Sequence, residues 1–262
     1  MVSKRSTRRP SRKSSRRSGS ILIGTSGWSY AHWRKIFYPE SMPSTRWLTY
    51  YVRYFETVEI NNSFYNLPQA STFAKWKADV PQDFVFAVKA NRFITHMKKL
   101  KNIEEALETF LERVSVLKRN LGPILFQLPP SLKFDPARLD DFLALLPRRR
   151  RYAVEFRHPS WVNDRAIEIL ARRKVAFCIH DLLDIPCPDY VTSSFAYFRF
   201  HGFNEKYGGT YPKRVLTQCA ERMVPLLRKG IDVYAYFNND AFGYAIKDAI
   251  KLRQIVNNML GT

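Results

Sequence analysis

The stretch AVEFRH, Ala153 to His158, decides the fold prediction. A short apolar run ends there in Glu155 and Arg157, which are two residues apart, so both side chains point to one face of an extended strand. Three other apolar runs end in such a pair: Glu59 and Asn61, Arg199 and His201, Asn238 and Asp240. Eight such runs alternate with helix-like stretches, and this alternation predicts a single closed (β/α)8 TIM barrel. The carboxyl ends of its strands would converge on one polar mouth.

The apolar runs and turn residues place the predicted elements along the chain. The predicted strands are Ile21–Gly24, Val58–Phe64, Phe84–Ala90, Ile124–Leu128, Tyr152–Arg157, Val175–Asp181, Ala196–His201 and Val233–Asn238. The predicted helices are Thr45–Phe55 with Ser44 as its cap, Ser71–Ala78, one that begins at Asn102 or Ile103, Pro136–Leu146, Ser160–Arg172, Pro212–Lys229 and Gly243–Met259. The segment Leu182–Ser194 contains two prolines and no helical pattern, so one of the eight barrel helices is expected to be missing there.

Composition limits the class of protein. The 262 residues, 45% of them hydrophobic and 15% aromatic, suit one barrel domain with a large core. No apolar run approaches the ~18 residues that would span a bilayer, so no membrane partner is expected. Three cysteines without a CxxC spacing argue against a disulfide framework and favour a reducing, cytoplasmic location.

The net charge of +20 is concentrated at the start of the chain, where residues 1–20 carry eight basic and no acidic side chains. These low-complexity residues predict a disordered arm before a barrel domain at 21–262. The arm could neutralise nucleic-acid phosphates without sequence specificity, serve as a targeting segment, or remain a solvated tail. The body keeps a charge of +12, which favours anionic partners.

Many separated motifs, in order over about residues 21–256, resemble the YecE-like family of TIM-barrel proteins, which has no settled activity. They are Gly24–Tyr30, Phe37–Pro39, Val58–Tyr65, Phe86–Lys89, Ile94–His96, Leu121–Pro123, Gln127–Pro130, Ala153–His158, Tyr197–Gly202 and Tyr236–Asp240. The resemblance implies the barrel fold and leaves the function open. It also implies a Trp where this chain has Gln218-Cys219, and an Asn-Ala pair where it has Asp248-Ala249.

Glu59 and Glu155 are the candidate catalytic carboxylates. Two carboxyl groups at a dry mouth can take different protonation states, one serving as acid and the other as base. The alternative is that each forms a buried ion pair with Arg157 or Arg199 and fixes the upper layer of the barrel.

Three cations make the predicted pocket suitable for an anion. Arg157 and Arg199 present planar forks that fit phosphate or carboxylate. Lys89 ends the third strand and is expected to pair with Glu59. The alternative for Lys89 is a Schiff-base nucleophile, which requires that desolvation lower its pKa.

His201, in phase with Arg199, is the candidate for auxiliary proton donor. His96 and His158 also fall at strand ends, whereas His180 is predicted to face outward under a helix. Histidines and carboxylates at a barrel mouth could bind a divalent metal, but the sequence has no HxH or ExxH spacing, so no metal ligand is assigned and the cofactor is left unknown.

The remaining candidate residues would orient the substrate. Asn61 and Asn238 are the orienting amides, and Asp240 is expected to cap the last helix or to orient Arg199. Further hydrogen bonds and an aromatic wall are expected from Ser26, Trp28, Tyr65, Gln127 and Tyr236.

These observations favour an enzyme, of hydrolase or isomerase type, that performs acid–base chemistry on an anionic, phosphorylated or sugar-containing substrate at the barrel mouth. Two alternatives stay open: a nucleic-acid-binding protein without turnover, and a metal-dependent phosphodiesterase.

Overall fold

A computed structural model describes residues 18–182, 185, 187–203 and 207–261, and it confirms the barrel. Eight parallel strands follow one another around the sheet in the order β1-β8-β7-β6-β5-β4-β3-β2. They are β1 (Ile21–Thr25), β2 (Thr57–Ile60), β3 (Val85–Lys89), β4 (Leu121–Gln127), β5 (Tyr152–Glu155), β6 (Ala176–His180), β7 (Phe195–Phe200) and β8 (Asp232–Phe237).

The barrel closes between β1 and β2, the two ends of that order. Ser26 forms a parallel bridge with Glu59, and the Gly27 amide donates to the Glu59 carbonyl oxygen at 2.8 Å. Gly24 permits this approach, because a Cβ there would lie 2.3 Å from the carbonyl oxygen of Thr57. Closure at the carboxyl ends therefore brings Glu59 directly beside the loop after β1.

Seven α-helices surround the barrel in the part of the chain that the structure describes. They are α1 (Trp47–Tyr51), α2 (Ala70–Ala78), α3 (Glu104–Ser115), α4 (Pro136–Ala144), α5 (Asp164–Arg173), α6 (Lys213–Arg228) and α7 (Tyr244–Leu260). The described residues of Leu182–Ser194 form no helix, as predicted. Two predicted elements are shorter: strand two ends at Ile60, before a 3-10 turn at Asn62–Phe64, and the first helix begins with a 3-10 turn that Ser44 does not cap.

Inward-facing side chains alternate along every strand, as a period of two requires. Those in the middle of the barrel are mostly small or aromatic and form a separate buried cluster of Ala87, Leu125, Ala153, Ala176, Cys178, Phe195, Tyr197, Tyr234 and Tyr236. The next inward positions toward the carboxyl ends include Glu59, Glu155 and Arg199, which are also buried. A mainly apolar layer therefore lies beneath the polar mouth.

The predicted basic arm lies outside the described residues up to position 17. Gly19 and Ser20, the end of that predicted arm, contact the barrel: the Gly19 amide donates to Leu227 O at 2.8 Å, and Ser20 Oγ donates to Asp232 Oδ1 at 2.9 Å. Among the described helices, none combines the length and apolar character needed to cross a bilayer.

Candidate active site

Arg199 lies between the two predicted catalytic carboxylates. Its guanidinium donates through NH2 to Glu59 Oε1 at 2.8 Å and through NH1 to Glu155 Oε2 at 2.5 Å. All three side chains are fully buried. They meet because β2, β5 and β7 each present an inward position at the same height of the barrel.

Further donors complete this buried charge cluster, which comprises Glu59, Glu155, Arg157 and Arg199. Tyr197 Oη donates to Glu59 Oε2 at 2.6 Å, and Ser26 Oγ donates to the same carboxylate. Arg157 donates to Glu155 through Nε. Two carboxylates thus face two guanidiniums, and the cluster is charge-balanced.

The surroundings of Glu155 disfavour its predicted role as acid or base. Burial raises the pKa of Glu155, but the charges of Arg157 and Arg199 outweigh it and hold this pKa well below its usual value. A carboxylate that stays ionised and accepts hydrogen bonds from two guanidiniums is a weak proton donor and a weak base at neutral pH. The geometry therefore supports the alternative, in which the carboxylate pair fixes the upper layer of the barrel.

His201 is a neutral hydrogen-bonding group beside this cluster. Burial lowers the pKa of His201 to about 3, although the nearby Glu155 acts in the opposite direction. Its Nε2 lies 3.2 Å from Glu155 Oε1 and its Nδ1 lies 3.3 Å from the Asn238 amide nitrogen. Arg157 NH2 also lies 3.2 Å from Nε2, so this nitrogen faces both a carboxylate acceptor and a guanidinium donor, and His201 links the charge cluster to Asn238.

A cavity of about 470 Å³ opens above the cluster at the carboxyl ends of the strands. Its walls are mainly aromatic rings and amide side chains. It is lined by Gly27, Trp28, Ser29, Tyr30, Asn61, Asn62, Tyr65, Lys89, Tyr207, Asn238 and Asp240. This is the place where a small molecule would meet the barrel.

Lys89 is the buried cation of this cavity. Its expected ion pair with Glu59 is absent among the described residues, because Arg199, Ser26 and Tyr197 already occupy that carboxylate. Instead, Nζ lies 4.0 Å from the ring centroid of Phe64. Burial, together with the positive charge of Arg199, lowers the pKa of Lys89 to about 7.

The predicted site residues occupy three levels. Six line the cavity: Trp28, Asn61, Tyr65, Lys89, Asn238 and Asp240. Beneath them lie Ser26, Glu59, Gln127, Glu155, Arg157, Arg199 and His201, each no more than 9% exposed. Tyr236 lies lower still, in the apolar interior cluster, where its hydroxyl is 2.7 Å from Thr57 Oγ1. A substrate held in the cavity would not reach Tyr236.

Two orientations differ from the prediction. His180 shares the inward face of β6 with Ala176 and Cys178, and its ring centroid lies 6.3 Å from that of His201, so the outward orientation predicted for it is wrong. Asp240 caps no helix through its side chain, which lies 3.4 Å from His32 Nε2 and makes no contact with Arg199. Burial raises the pKa of Asp240, whose carboxylate lines the cavity.

Sequence reasoning missed several residues that shape the mouth. Gly27 has a φ of +95° and turns the chain after β1, which brings Tyr30 to the cavity. The 3-10 turn after β2 similarly adds Asn62 beside Asn61. Gly27 in the loop after β1 was a sequence signal for the turn there. Nothing in the sequence distinguished the 3-10 turn after β2 from a longer strand.

Asp248, one of the departures from the family pattern, also supports the mouth. It is fully buried on α7 and accepts hydrogen bonds from Thr210 Oγ1 at 2.8 Å, the Tyr211 amide at 3.1 Å and Asn239 Nδ2 at 2.9 Å. It therefore joins the last helix to the loops after β7 and β8.

A metal centre has no geometric support in the described part of the chain. No group of three or more His, Cys, Asp or Glu side chains is arranged there to hold an ion. Since Glu59 and Glu155 are bonded to guanidiniums, their oxygens are already occupied.

The architecture and mouth define a TIM-barrel protein with a charge-balanced cluster beneath a polar cavity. Residues 22–261 match the model of the family described as protein of unknown function DUF72, and the chain belongs to that family.

Relatives agree with this assignment. A DUF72 family protein of Thermotoga maritima has a solved structure with a TM-score of 0.82 and 31% identity, covering 93% of this chain and 100% of that one. The UPF0759 protein YecE of Escherichia coli is 32% identical over 144 residues, 54% of this chain and 50% of YecE, so the match spans about half of that relative's length. The UPF0759 protein YunF of Bacillus subtilis is 25% identical over 280 residues, 90% of this chain and 95% of YunF.

Proposed function

We propose that the protein is an enzyme that performs acid–base chemistry on a small sugar-type substrate bearing an anionic group, bound in the mouth cavity. The observation that carries the proposal is the composition of this cavity, in which aromatic rings and three amide side chains surround the buried amine of Lys89. The cavity lies at the carboxyl ends of the strands, where enzymes of this fold act.

The walls suit a polyhydroxylated molecule. Trp28, Tyr30 and Tyr65 offer ring faces that can pack on the apolar face of a sugar, while the Asn61, Asn62 and Asn238 amides both donate and accept hydrogen bonds. Lys89 in its protonated form would attract an anionic substrate into the cavity.

Lys89 and Asp240 are the groups we assign to proton transfer. The pKa of Lys89 is lowered to about 7, chiefly by burial, and that of Asp240 is raised, also chiefly by burial. A group whose pKa lies near the working pH is an effective acid or base, which the pKa of Lys89 allows, and burial shifts the pKa of Asp240 upward from the usual carboxyl value. Glu59 and Glu155 then act as positioning residues, which hold Arg199 and the strand ends in place.

Calorimetric titration with a sugar phosphate, an aldonate and the matching neutral sugar tests this proposal. We expect the anionic sugars to bind to wild type and to bind at least tenfold more weakly to Asn238→Ala, which removes an amide from the cavity wall. Asn258→Ala, an exposed amide on α7, is the control and should bind as wild type does. Equal affinity in both variants, or no binding by any of the three sugars, would contradict the proposal.

A second function, binding of a nucleic-acid backbone, is favoured by the opposite end of the barrel. Lys118, Arg119 and Arg149–Arg151 line one cavity at the amino ends of the strands. Ser20, just before β1, lies at the same end. There Asp232 accepts one hydrogen bond from the Ser20 hydroxyl and another from Arg151. The eight basic residues of positions 1–20 are therefore joined to the chain beside a basic surface, which suits a phosphate backbone.

Binding of a fluorescent single-stranded oligonucleotide at several salt concentrations tests this second function. Charge reversal by Arg119→Glu with Arg149→Glu should weaken binding and flatten its salt dependence, as should deletion of residues 1–17. The matched control, Lys213→Glu with Arg214→Glu, reverses two exposed charges at the start of α6. If the control weakens binding as much as the test variant does, the basic end is not the binding surface.

We also propose that the protein is cytoplasmic. Cys178, Cys187 and Cys219 are free thiols, as expected in a reducing compartment. Cell fractionation with a tagged chain checks this location.

A further inference from the structure

We propose that Lys89 forms a covalent imine with the carbonyl group of an aldehyde or ketone substrate, such as a sugar in its open-chain form. This inference rests on the proposed function, since it assigns the substrate class and a covalent step to the same cavity.

The position of Lys89 suits a nucleophile. It is the last residue of β3, its side chain is only 7% exposed, and it lines the mouth cavity. The backbone around it is fixed, because Ser63 Oγ donates to the Lys89 carbonyl oxygen at 2.6 Å and Asn91 Nδ2 donates to Ser63 O at 3.0 Å. A substrate carbonyl in the cavity would thus meet the amine of a lysine whose backbone is held rigidly.

The amine lacks the counter-ion that buried lysines usually have. Within the described residues no carboxylate forms an ion pair with Nζ, which lies instead over the face of the Phe64 ring. Glu59 is engaged by Arg199, and Glu155 by both Arg157 and Arg199. The charge cluster therefore leaves Lys89 as the basic group that is not neutralised.

The charges around Lys89 oppose one another. Arg199 and Arg157 disfavour its protonated form, whereas Glu155 and Glu59 favour it, and burial decides the balance toward the neutral amine. His96, whose ring centroid lies 4.9 Å from that of Phe64, has a pKa lowered to about 4 and is uncharged at neutral pH. A pKa of about 7 leaves a far larger neutral fraction of Lys89 at neutral pH than the fewer than about one in a thousand of an ordinary lysine.

The chemistry balances without an external oxidant or reductant. The amine lone pair of Lys89 attacks the carbonyl carbon, a C–N bond forms as the C–O π bond breaks, and one proton passes from nitrogen to the carbonyl oxygen. The hydroxyl group of the resulting carbinolamine takes a proton from an acid and leaves as water. The nitrogen lone pair forms the C=N bond, and the second nitrogen proton returns to the conjugate base of that acid. Asp240 lines the same cavity, and we assign it as the acid that protonates the departing hydroxyl group and then takes a proton back. Burial raises the pKa of Asp240.

Reductive trapping tests the proposal. The protein is incubated at pH 7 with glycolaldehyde, glyceraldehyde 3-phosphate or pyruvate, each with sodium cyanoborohydride, and the modified peptide is identified by mass spectrometry. We expect one equivalent of adduct, located at Lys89 and formed at least tenfold faster than at any other lysine, from at least one of the three carbonyl compounds. Comparison of the three distinguishes a neutral aldehyde, a phosphorylated aldehyde and a 2-oxo acid.

Two variants keep the result interpretable. Lys89→Arg should lose the fast adduct, whereas Lys75→Arg, an exposed lysine on α2, should retain it. Lys89→Met, with melting temperatures measured for all variants, serves if the arginine form does not fold. The proposal that Lys89 forms an imine is overturned if the label is spread over exposed lysines, or if labelling is unchanged in both Lys89 variants. If the imine is overturned but sugars still bind in the calorimetric titration, the proposed function stands without the imine. If no sugar binds, the proposed function and the imine both fail.

Discussion

Replacing Glu155 by glutamine should destabilise the protein strongly, because the carboxylate balances two buried guanidiniums. The side chain is fully buried and accepts hydrogen bonds from Arg157 and from Arg199, the latter at 2.5 Å. A neutral amide at this position would leave Glu59 as the single anion facing Arg157 and Arg199, so the cluster would gain one uncompensated positive charge. Breaking a buried pair in this way costs about 3–5 kcal/mol of unfolding free energy.

The assay is urea and thermal denaturation of Glu155→Gln, followed by circular dichroism at pH 7. The expected loss corresponds to a melting temperature lower by roughly 6–20 °C for a domain of this size. The control is Glu168→Gln, which neutralises a carboxylate paired with Arg165 at 3.2 Å on the exposed face of α5, where the loss should stay below about 1 kcal/mol. If both variants unfold alike, Glu155 is not the counter-ion of the cluster, and its role as catalytic acid or base becomes the better account.

Two further predictions concern the supports of the mouth. The pKa of His201 is lowered to about 3 in the folded state, so its contribution to stability is complete above pH 6.5 and is lost as pH falls toward 3. Wild type should therefore lose roughly 2 kcal/mol more unfolding free energy than His201→Gln between pH 7 and pH 5, as measured in urea, and parallel pH profiles would contradict this. Asp248→Ala should lower the unfolding free energy by about 1–3 kcal/mol, because the Tyr211 amide and Asn239 Nδ2, which now donate to Asp248 at 3.1 and 2.9 Å, would lose a buried acceptor. Unchanged stability in Asp248→Ala would show that these buried contacts are dispensable.

Much of the fold followed from local patterns. The strands were predictable because each is a short buried run between turn residues, and the period of two correctly placed Glu155 with Arg157, and Arg199 with His201, on the inward face. The prediction for His180 was wrong because it placed the neighbouring Asp181 on the inward face of the strand, which put His180 on the outward face. The inward phase of β6 is set by Ala176 and Cys178, which are too small and apolar to reveal a face in the sequence.

The site was predictable only in part, since its chemistry depends on contacts between distant strands. The relative positions of the strands around the barrel decide which cation neutralises Glu59. They bring Arg199 of β7 to this carboxylate instead of Lys89 of β3. The depth of Tyr236 is likewise set by its register opposite Gly24 of β1, not by its own neighbours in sequence. Residue type thus predicted a charged mouth, while the pairing within it required the three-dimensional structure.

The measurement that tests the central claim most directly is an NMR titration of the Lys89 side chain. Selective observation of the lysine Cε methylene signals over pH 5 to 11, with Lys89→Arg to assign the resonance, gives the pKa of this amine in the intact protein. We expect a midpoint near 7, because burial and Arg199 disfavour the charged form of Lys89. A midpoint near the ordinary value of about 10.4 would show a solvated or paired ammonium group and would contradict Lys89 as the reacting group of the cavity.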